Sequence, residues 1–341
     1  MGIVKGVRSS EFGVRNENLL LNSKLSTFAV SAEVRSKLLI AVSGGADSMA
    51  LLHSLLTECR IGGRSLIPNL SVAHVNHQIN IAEANAAQSL VEAFCRKHGI
   101  DCHVGTFNVP QIARDGKRGI EETARHLRYG FFAEILEKIN YDYYLTAHTA
   151  DDNAETLMLH LLRGCGPKGL CGMPVLRGKH MRPILHVTRK QVEEYVAEHN
   201  IDCAVDSSNS DCDYTRNKIR HELLPLMREF NPQINGALNR LAHAASSENE
   251  CLTELAEKLL HTNEQGQPYC LKIELENAPY ALRVRALQAL YPFATGLEQK
   301  HFTAMLQAVE RHSGTELPNA LRLNVRKGVV TIGDNPALTT Q

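Results

Sequence analysis

Between Lys37 and Leu145 short β-rich runs alternate with amphipathic helical stretches, and this alternation constrains the fold more than any other feature of the chain. The runs are Leu38 to Val42, Leu70 to Val75, Cys102 to Val109 and Tyr143 to Thr146. Between them Ser48 to Glu58, Ala82 to His98 and Ile120 to Lys138 carry apolar residues at helical spacing. Parallel strands need a crossover long enough to hold a helix, so the pattern predicts an α/β fold with a doubly wound parallel sheet. Ligands of such sheets lie at the carboxyl ends of the strands, where the polar runs after Val42, Val75 and Ala147 should gather.

Beyond residue 187 the reading is helical. Thr188 and Gln191 can form a capping box for a helix to about His199, and Asn209 to Asp213 reads as a polar turn cluster. A helix from about Tyr214 should stop before Asn231-Pro232, because the residue preceding proline is pushed out of the helical region. Long helical patterns follow over roughly 233–260, then a strand, two helices and a closing hairpin of Leu321 to Val325 with Val329 to Ile332. A chain of 341 residues exceeds one compact core. The expected organisation is an N-terminal extension over 1–18, a catalytic domain over 19–220 and a mainly helical region over 221–341 with a small C-terminal α+β segment. The main boundary is expected near 215–230.

Composition removes several classes of function. Lys and Arg number 37 against 37 Asp and Glu, so nucleic-acid binding must rest on local patches rather than on net charge. No apolar run approaches the roughly 18–20 residues a membrane span needs. Nine cysteines include no Cys-x-x-Cys pair, and Cys165 with Cys171 lack the second ligand pair of a zinc site. They read as reduced thiols of a cytoplasmic protein.

Ser43-Gly44-Gly45-Ala46-Asp47-Ser48 lies directly between a strand and a helix. Two glycines allow a sharp turn that aims several N–H groups at one point, and the helix start adds partial positive charge, so the loop can bind phosphate. It lacks the Gly-Lys-Ser/Thr ending of a Walker A loop. In that context Ser-Gly-Gly-x-Asp-Ser resembles the PP-loop of ATP pyrophosphatases, which release pyrophosphate while adenylating a substrate. The plain alternative is a turn whose Ser and Asp merely cap a helix.

The segment His148 to Thr156 follows the fourth β run and opens a helix to Arg163. Positions 148, 152 and 155 share a face, and Asp152 and Glu155 repel unless a cation lies near them; Mg²⁺ suits such oxygen ligands. Helix-dipole complementation by Asp151 and Asp152 is the alternative. The glycine-rich stretch from Arg163 to Met173 could close over a substrate or be a structural loop. Arg216-Asn217-Lys218-Ile219-Arg220-His221 sets cations at a helix start, where they oppose the dipole and imply an anionic partner. A second basic group, Arg114, Lys117, Arg118, Arg125 and Arg128, could track an RNA backbone.

Taken in order, these blocks resemble one family. The PP-loop, His74-Val75-Asn76-His77, Gly119 to Arg125 with Arg128-Tyr129, His148 to Thr156 and Arg163 to Met173 are similar to tRNA(Ile)-lysidine synthetase. So are Arg182-Pro183-Ile184-Leu185, Asp206-Ser207-Ser208-Asn209 and Tyr214 to Arg220 followed by Leu224-Pro225. The likeness covers about 20–260 and weakens after 262. It implies an adenine nucleotide alpha hydrolase-like fold and a ligase acting on the wobble cytidine (C34) of a minor tRNA(Ile) with a CAU anticodon. The cytidine is adenylated by ATP, and the lysine side-chain amine then displaces AMP. By position, Ser43, Gly44, Gly45, Ala46, Asp47 and Ser48 would bind ATP. Asp47, Arg128, Asp152 and Glu155 would be catalytic, with Asp47 and Asp152 as Mg²⁺ ligands. His148, Arg216 and Arg220 would contact tRNA or the adenylate, and the helical and C-terminal parts would grip the tRNA. ATP, Mg²⁺, the tRNA and L-lysine are thus the implied partners, no membrane is among them, and a homodimer is left open. Asn76 stands where many relatives have aspartate and is given no catalytic role.

The rival readings are a tRNA-thiolating PP-loop enzyme, disfavoured by the absence of Cys-x-x-Cys, and a non-catalytic RNA-binding module, disfavoured because Asp47, Asp152 and Glu155 are all present.

Overall fold

A computed structural model describes residues 37–58, 69–204, 214–293 and 296–334. The expected extension over 1–18, the Asp206 to Asn209 block and the Asn209 to Asp213 turn cluster lie outside these residues. The central sheet is six-stranded, in the order β3-β2-β1-β4-β6-β5. Its strands are β1 (Leu38–Ala41), β2 (Leu70–Asn76), β3 (Asp101–Thr106), β4 (Tyr143–Leu145), β5 (Leu176–Arg177) and β6 (His180–Met181). All pairings are parallel except β5 with β6.

Strand alternation explains why the sheet is covered on both faces. In β1, Ile40 joins the core formed with Leu51, Leu52 and Val91 of helices α1 (Ala46–Glu58) and α2 (Ile81–His98). Its neighbour Leu39 points the other way, into a core with Phe132, Ile135 and Leu136. Val72 and Ala73 of β2 divide in the same manner. Both faces of the central strands are apolar because each packs on helices, as a doubly wound sheet requires. A short helix α3 (Val109–Asp115) and the long α4 (Ile120–Ile139) follow β3. The expected strand over 102–109 therefore ends early, where Asn108 caps α3 by accepting from the Gln111 N–H.

The strand order reverses between β1 and β4, so the loop after β1 and the loop after β4 open side by side. Helix α5 (Ala150–Arg163) begins at the second of these loops. The short helix α6 (Pro167–Leu170) and α7 (Arg189–Glu198) come next, α7 with the Thr188–Gln191 capping box. Then come α8 (Tyr214–Lys218), a π-helical turn (Ile219–Leu223), α9 (Leu224–Phe230) and α10 (Ile234–Glu257). Expected as one helix, 214–230 is interrupted by the π turn directly before Pro225, whose ring and missing N–H disfavour a continuous i to i−4 ladder.

By packing, the chain divides into a unit ending at Ala244 and one beginning at Ala245. Ile219, Leu224, Leu238 and Ala242 form one core with Ala154, Leu157 and Met158 of α5, which draws the first part of α10 into the sheet-bearing unit. The second unit holds a five-stranded antiparallel sheet in which β7 (His261–Thr262), β8 (Pro268–Leu271) and β9 (Thr315–Leu317) join a closing hairpin of β10 (Leu321–Arg326) and β11 (Val329–Asp334), in the order β7-β8-β11-β10-β9. The hairpin pairs β10 with β11 through Lys327 and Gly328, both at positive φ (50° and 77°), as a two-residue turn demands. A short helix α11 (Lys272–Asn277) precedes α12 (Tyr280–Leu290) and α13 (Gln299–Glu310), and Leu323 and Val330 pack with Leu287 of α12 and Met305 of α13. Among the described residues no helix is long and apolar enough to cross a membrane.

Candidate active site

The PP-loop leaves β1 at Val42, whose carbonyl accepts from the ring of buried His74 (Nδ1, 2.8 Å). Its serines shape it from within. Ser48 Oγ donates to the Gly45 carbonyl (2.9 Å) and accepts from Ser43 N (3.2 Å), so the Ser43 hydroxyl, 3.2 Å away, must be the donor to Ser48. Gly45 N in turn donates to Ser43 Oγ (3.3 Å). The two serine hydroxyls thus hold the backbone turn. Gly44 has φ +95° with the Ala87 side chain of α2 against it, and its carbonyl accepts from Ala204 N (2.9 Å). Ala46 opens helix α1, and Asp47 sits in that first turn. Burial pushes the Asp47 carboxyl up to about 6, with Asp152 and Glu193 adding to the rise against the pull of Arg189 and Arg220. Its Oδ1 is buried with no hydrogen-bond partner among the described residues.

Across the switch point, Thr149 caps α5 in a capping box with Asp152: Thr149 N donates to Asp152 Oδ2 (2.8 Å) and Thr149 Oγ1 accepts from Asp152 N (3.4 Å). The helix starts at Ala150, so of the expected face only Asp152 and Glu155 lie on it while His148 precedes the Thr149 cap, and their neighbours build scaffold. Asp151 accepts from Arg189 N (2.8 Å) and Asn235 Nδ2 (2.6 Å), while Asn153 accepts from Met173 N (2.7 Å) and donates to Asn239 (2.8 Å). Gly172, at φ +64°, lies so close to Asn153 that a Cβ there would collide with it, which anchors the glycine-rich segment to α5.

The cations that relieve the Asp152 and Glu155 repulsion are guanidiniums. Glu155, 3% exposed, accepts from Arg216 Nε (2.9 Å) and from Arg220 Nε and Nη2 (2.6 and 2.9 Å). Asp152 Oδ1 takes Arg216 Nη2 at 3.2 Å and lies 3.5 Å from Arg220 Nη2. The anion implied by the basic cluster is therefore, first, this carboxylate pair, and Glu155 holds the Arg220 guanidinium pKa above its usual range. Arg128 is half-buried, its guanidinium 5.5 Å from the Tyr129 ring centroid, and it faces His77 and His148. Asn76 spends its amide on Asn85 and Gln88 of α2 (3.0 and 2.9 Å), a structural duty.

Sequence reasoning missed a polar chain behind His148. Thr146 Oγ1 lies 2.7 Å from His148 Nδ1 and 2.7 Å from His180 Nε2, and Arg182 Nη2 donates to His180 Nδ1 (3.0 Å). Arg182 stood in a motif block, but only the β4–β6 pairing brings it and His180 beside Thr146, more than thirty positions away in sequence.

The PP-loop domain family matches residues 18–227. The tRNA(Ile)-lysidine synthase of Clostridium acetobutylicum is 31% identical over 89% of this chain and 68% of its own length. The chain belongs to the tRNA(Ile)-lysidine synthase family. The bifunctional protein TilS/HprT of Listeria monocytogenes is 33% identical over 84% of this chain and 46% of its own length. The chain thus spans about half to two thirds of these family members. Among solved structures, the U34-tRNA thiolase NcsA from Methanococcus maripaludis aligns at TM-score 0.54 and 16% identity over 66% of this chain and 78% of its own, a likeness of fold.

For a family that uses ATP, the fit of Mg²⁺ turns on which oxygens are uncommitted. Both Asp152 oxygens are engaged, Oδ2 in the capping box and Oδ1 by Arg216. Asp47 offers an unpartnered buried oxygen, which suits a hard cation. Among the described residues no three His, Cys, Asp or Glu side chains converge as a ready-made metal site. The residues therefore fit an ion held by one carboxylate and nucleotide phosphates rather than by a protein cage.

Proposed function

We propose that this chain adenylates the wobble cytidine of a tRNA(Ile) with a CAU anticodon and joins L-lysine to it. The observation that carries the reading is the meeting, at the sheet's switch point, of a PP-loop with the Asp152 and Glu155 face of α5 and the His148 turn before it, in a chain of the lysidine synthase family. In the first step the cytidine O2 attacks the α-phosphorus of ATP and pyrophosphate leaves. In the second the lysine amine attacks C2, the C2–O bond breaks and AMP departs, leaving lysidine.

The PP-loop N–H groups and the α1 N-terminus would receive phosphate oxygens. Mg²⁺, held by Asp47 and the nucleotide, would offset charge on the departing pyrophosphate. Arg128 and the Arg216–Arg220 pair would meet the negative charge at the α-phosphate. Two guanidiniums fixed by a buried carboxylate are already ordered, so little entropy is spent when the transition state forms. Residues 19–220 would do this chemistry and 221–341 would hold the tRNA, in the cytoplasm. ATP labelled at the α-phosphate tests the first step: with lysine withheld, label should become attached to CAU-anticodon tRNA(Ile). Release of ADP instead of pyrophosphate would defeat the reading.

A further inference from the structure

The chain Arg182, His180, Thr146, His148 takes its direction from its Arg182 end. A guanidinium only donates, so His180 Nδ1, 3.0 Å from Arg182 Nη2, must be a bare acceptor. His180 is then neutral and carries its one ring proton on Nε2, which donates to Thr146 Oγ1 at 2.7 Å. Having accepted that hydrogen bond, the hydroxyl can turn its own proton toward the ring on its other side, His148 Nδ1, also 2.7 Å away. Ring orientation is not free either: His180 stacks on Tyr144 at 4.4 Å with 15° between planes and meets the Tyr129 edge at 6.1 Å.

We infer that Arg182, His180 and Thr146 are positioning residues that lock His148 in the tautomer bearing its proton on Nε2. His148 then presents a fixed donor and cannot act as a base at that nitrogen. Its neighbours suit that duty: Arg128 of α4, Arg182 just past β6 and Arg216 of α8 act on it, as does Asp152 in the first turn of α5. Burial, with the three arginines, pushes His148 down to about 4, so the ring is neutral at physiological pH and the proton on Nε2 persists. Burial and the same kind of neighbours push His180 to about 3. A preorganised neutral donor serves an anionic oxygen of the reacting phosphate. The inference deepens the proposed reaction and rests on it for its chemistry; the tautomer can be read without it.

The test joins a spectrum to a rate. Full-length protein labelled with ¹⁵N-histidine is examined by two-bond ¹H–¹⁵N correlation, the His148 signals being identified by their loss in His148→Gln. The expected spectrum shows His148 with bare Nδ1 and protonated Nε2 near neutral pH. Thr146→Val, nearly isosteric, should mix the tautomers and lower kcat for adenylation by at least about tenfold, with KM for ATP within about twofold. Thr146→Ser should restore both the spectrum and kcat. A His148 protonated on Nδ1, or a Thr146→Val protein with unaltered spectrum, overturns the inference whatever the enzyme's substrate. A correct tautomer in a protein that adenylates no tRNA would instead overturn the proposed function and leave the relay standing.

Discussion

Asp47 costs stability where the proposed reaction would use it. Its carboxyl is raised by burial to about 6 against an ordinary 3.8, so the folded state binds the proton more tightly than the unfolded chain does. Its contribution favours the fold below about pH 4 and is lost as pH rises through about 6. Asp47→Asn should therefore raise the melting temperature near pH 7.5, by a gain on the order of 1–2 kcal/mol, and shrink the difference between melts at about pH 4.5 and 7.5, while abolishing adenylation. Thermal melts at both pH values check the first part, and a lowered Tm at the higher pH would contradict it. Gly44 is constrained by backbone: at φ +95°, with Ala87 against it, Gly44→Ala should cost about 1–3 kcal/mol and weaken ATP binding, read by denaturant melts and calorimetry. Asp47 and Gly44 were legible because loop chemistry is local in sequence. The partners of His148 were not, because β4 and β6 place Thr146 beside His180 through a pairing that no spacing encodes.

At the scale of elements, α5 separates its duties by face. Asp151 and Asn153 tie it to α7, α10 and the glycine-rich segment, while Asp152 and Glu155 face the two arginines. Helical periodicity made that face readable, but the identity of its counterions was not, since the arginines lie some sixty positions downstream on α8 and the π turn. Removing a buried partner leaves uncompensated charge, so Glu155→Ala should lose about 2–4 kcal/mol, partial exposure of both arginines keeping the loss below the fully buried limit. Urea unfolding measures it, and a loss under about 0.5 kcal/mol would mean the cluster does not support the site. The strands β1 to β4 were readable because each is an apolar run between helical patterns; β5 and β6 were not, being two residues each, too short for any periodicity.

For the whole molecule, a reversal of strand order beside β1 brings the PP-loop and the start of α5 to the same end of the sheet, and the proposed adenylation places its chemistry there. The antiparallel sheet of the second unit was only partly legible: its closing hairpin follows from Lys327-Gly328 between alternating runs and a strand was expected from about 269, whereas β7 and β9 are two and three residues long and β8 reaches the hairpin through a pairing distant in sequence. The central claim is tested most directly by incubating the protein with ATP, Mg²⁺, radiolabelled lysine and an in vitro transcribed tRNA(Ile) bearing a CAU anticodon, with methionine tRNA as the control. The account predicts ATP-dependent lysine incorporation into the isoleucine tRNA alone, lost in Asp47→Asn; AMP and pyrophosphate formed without lysine entering that tRNA would contradict it.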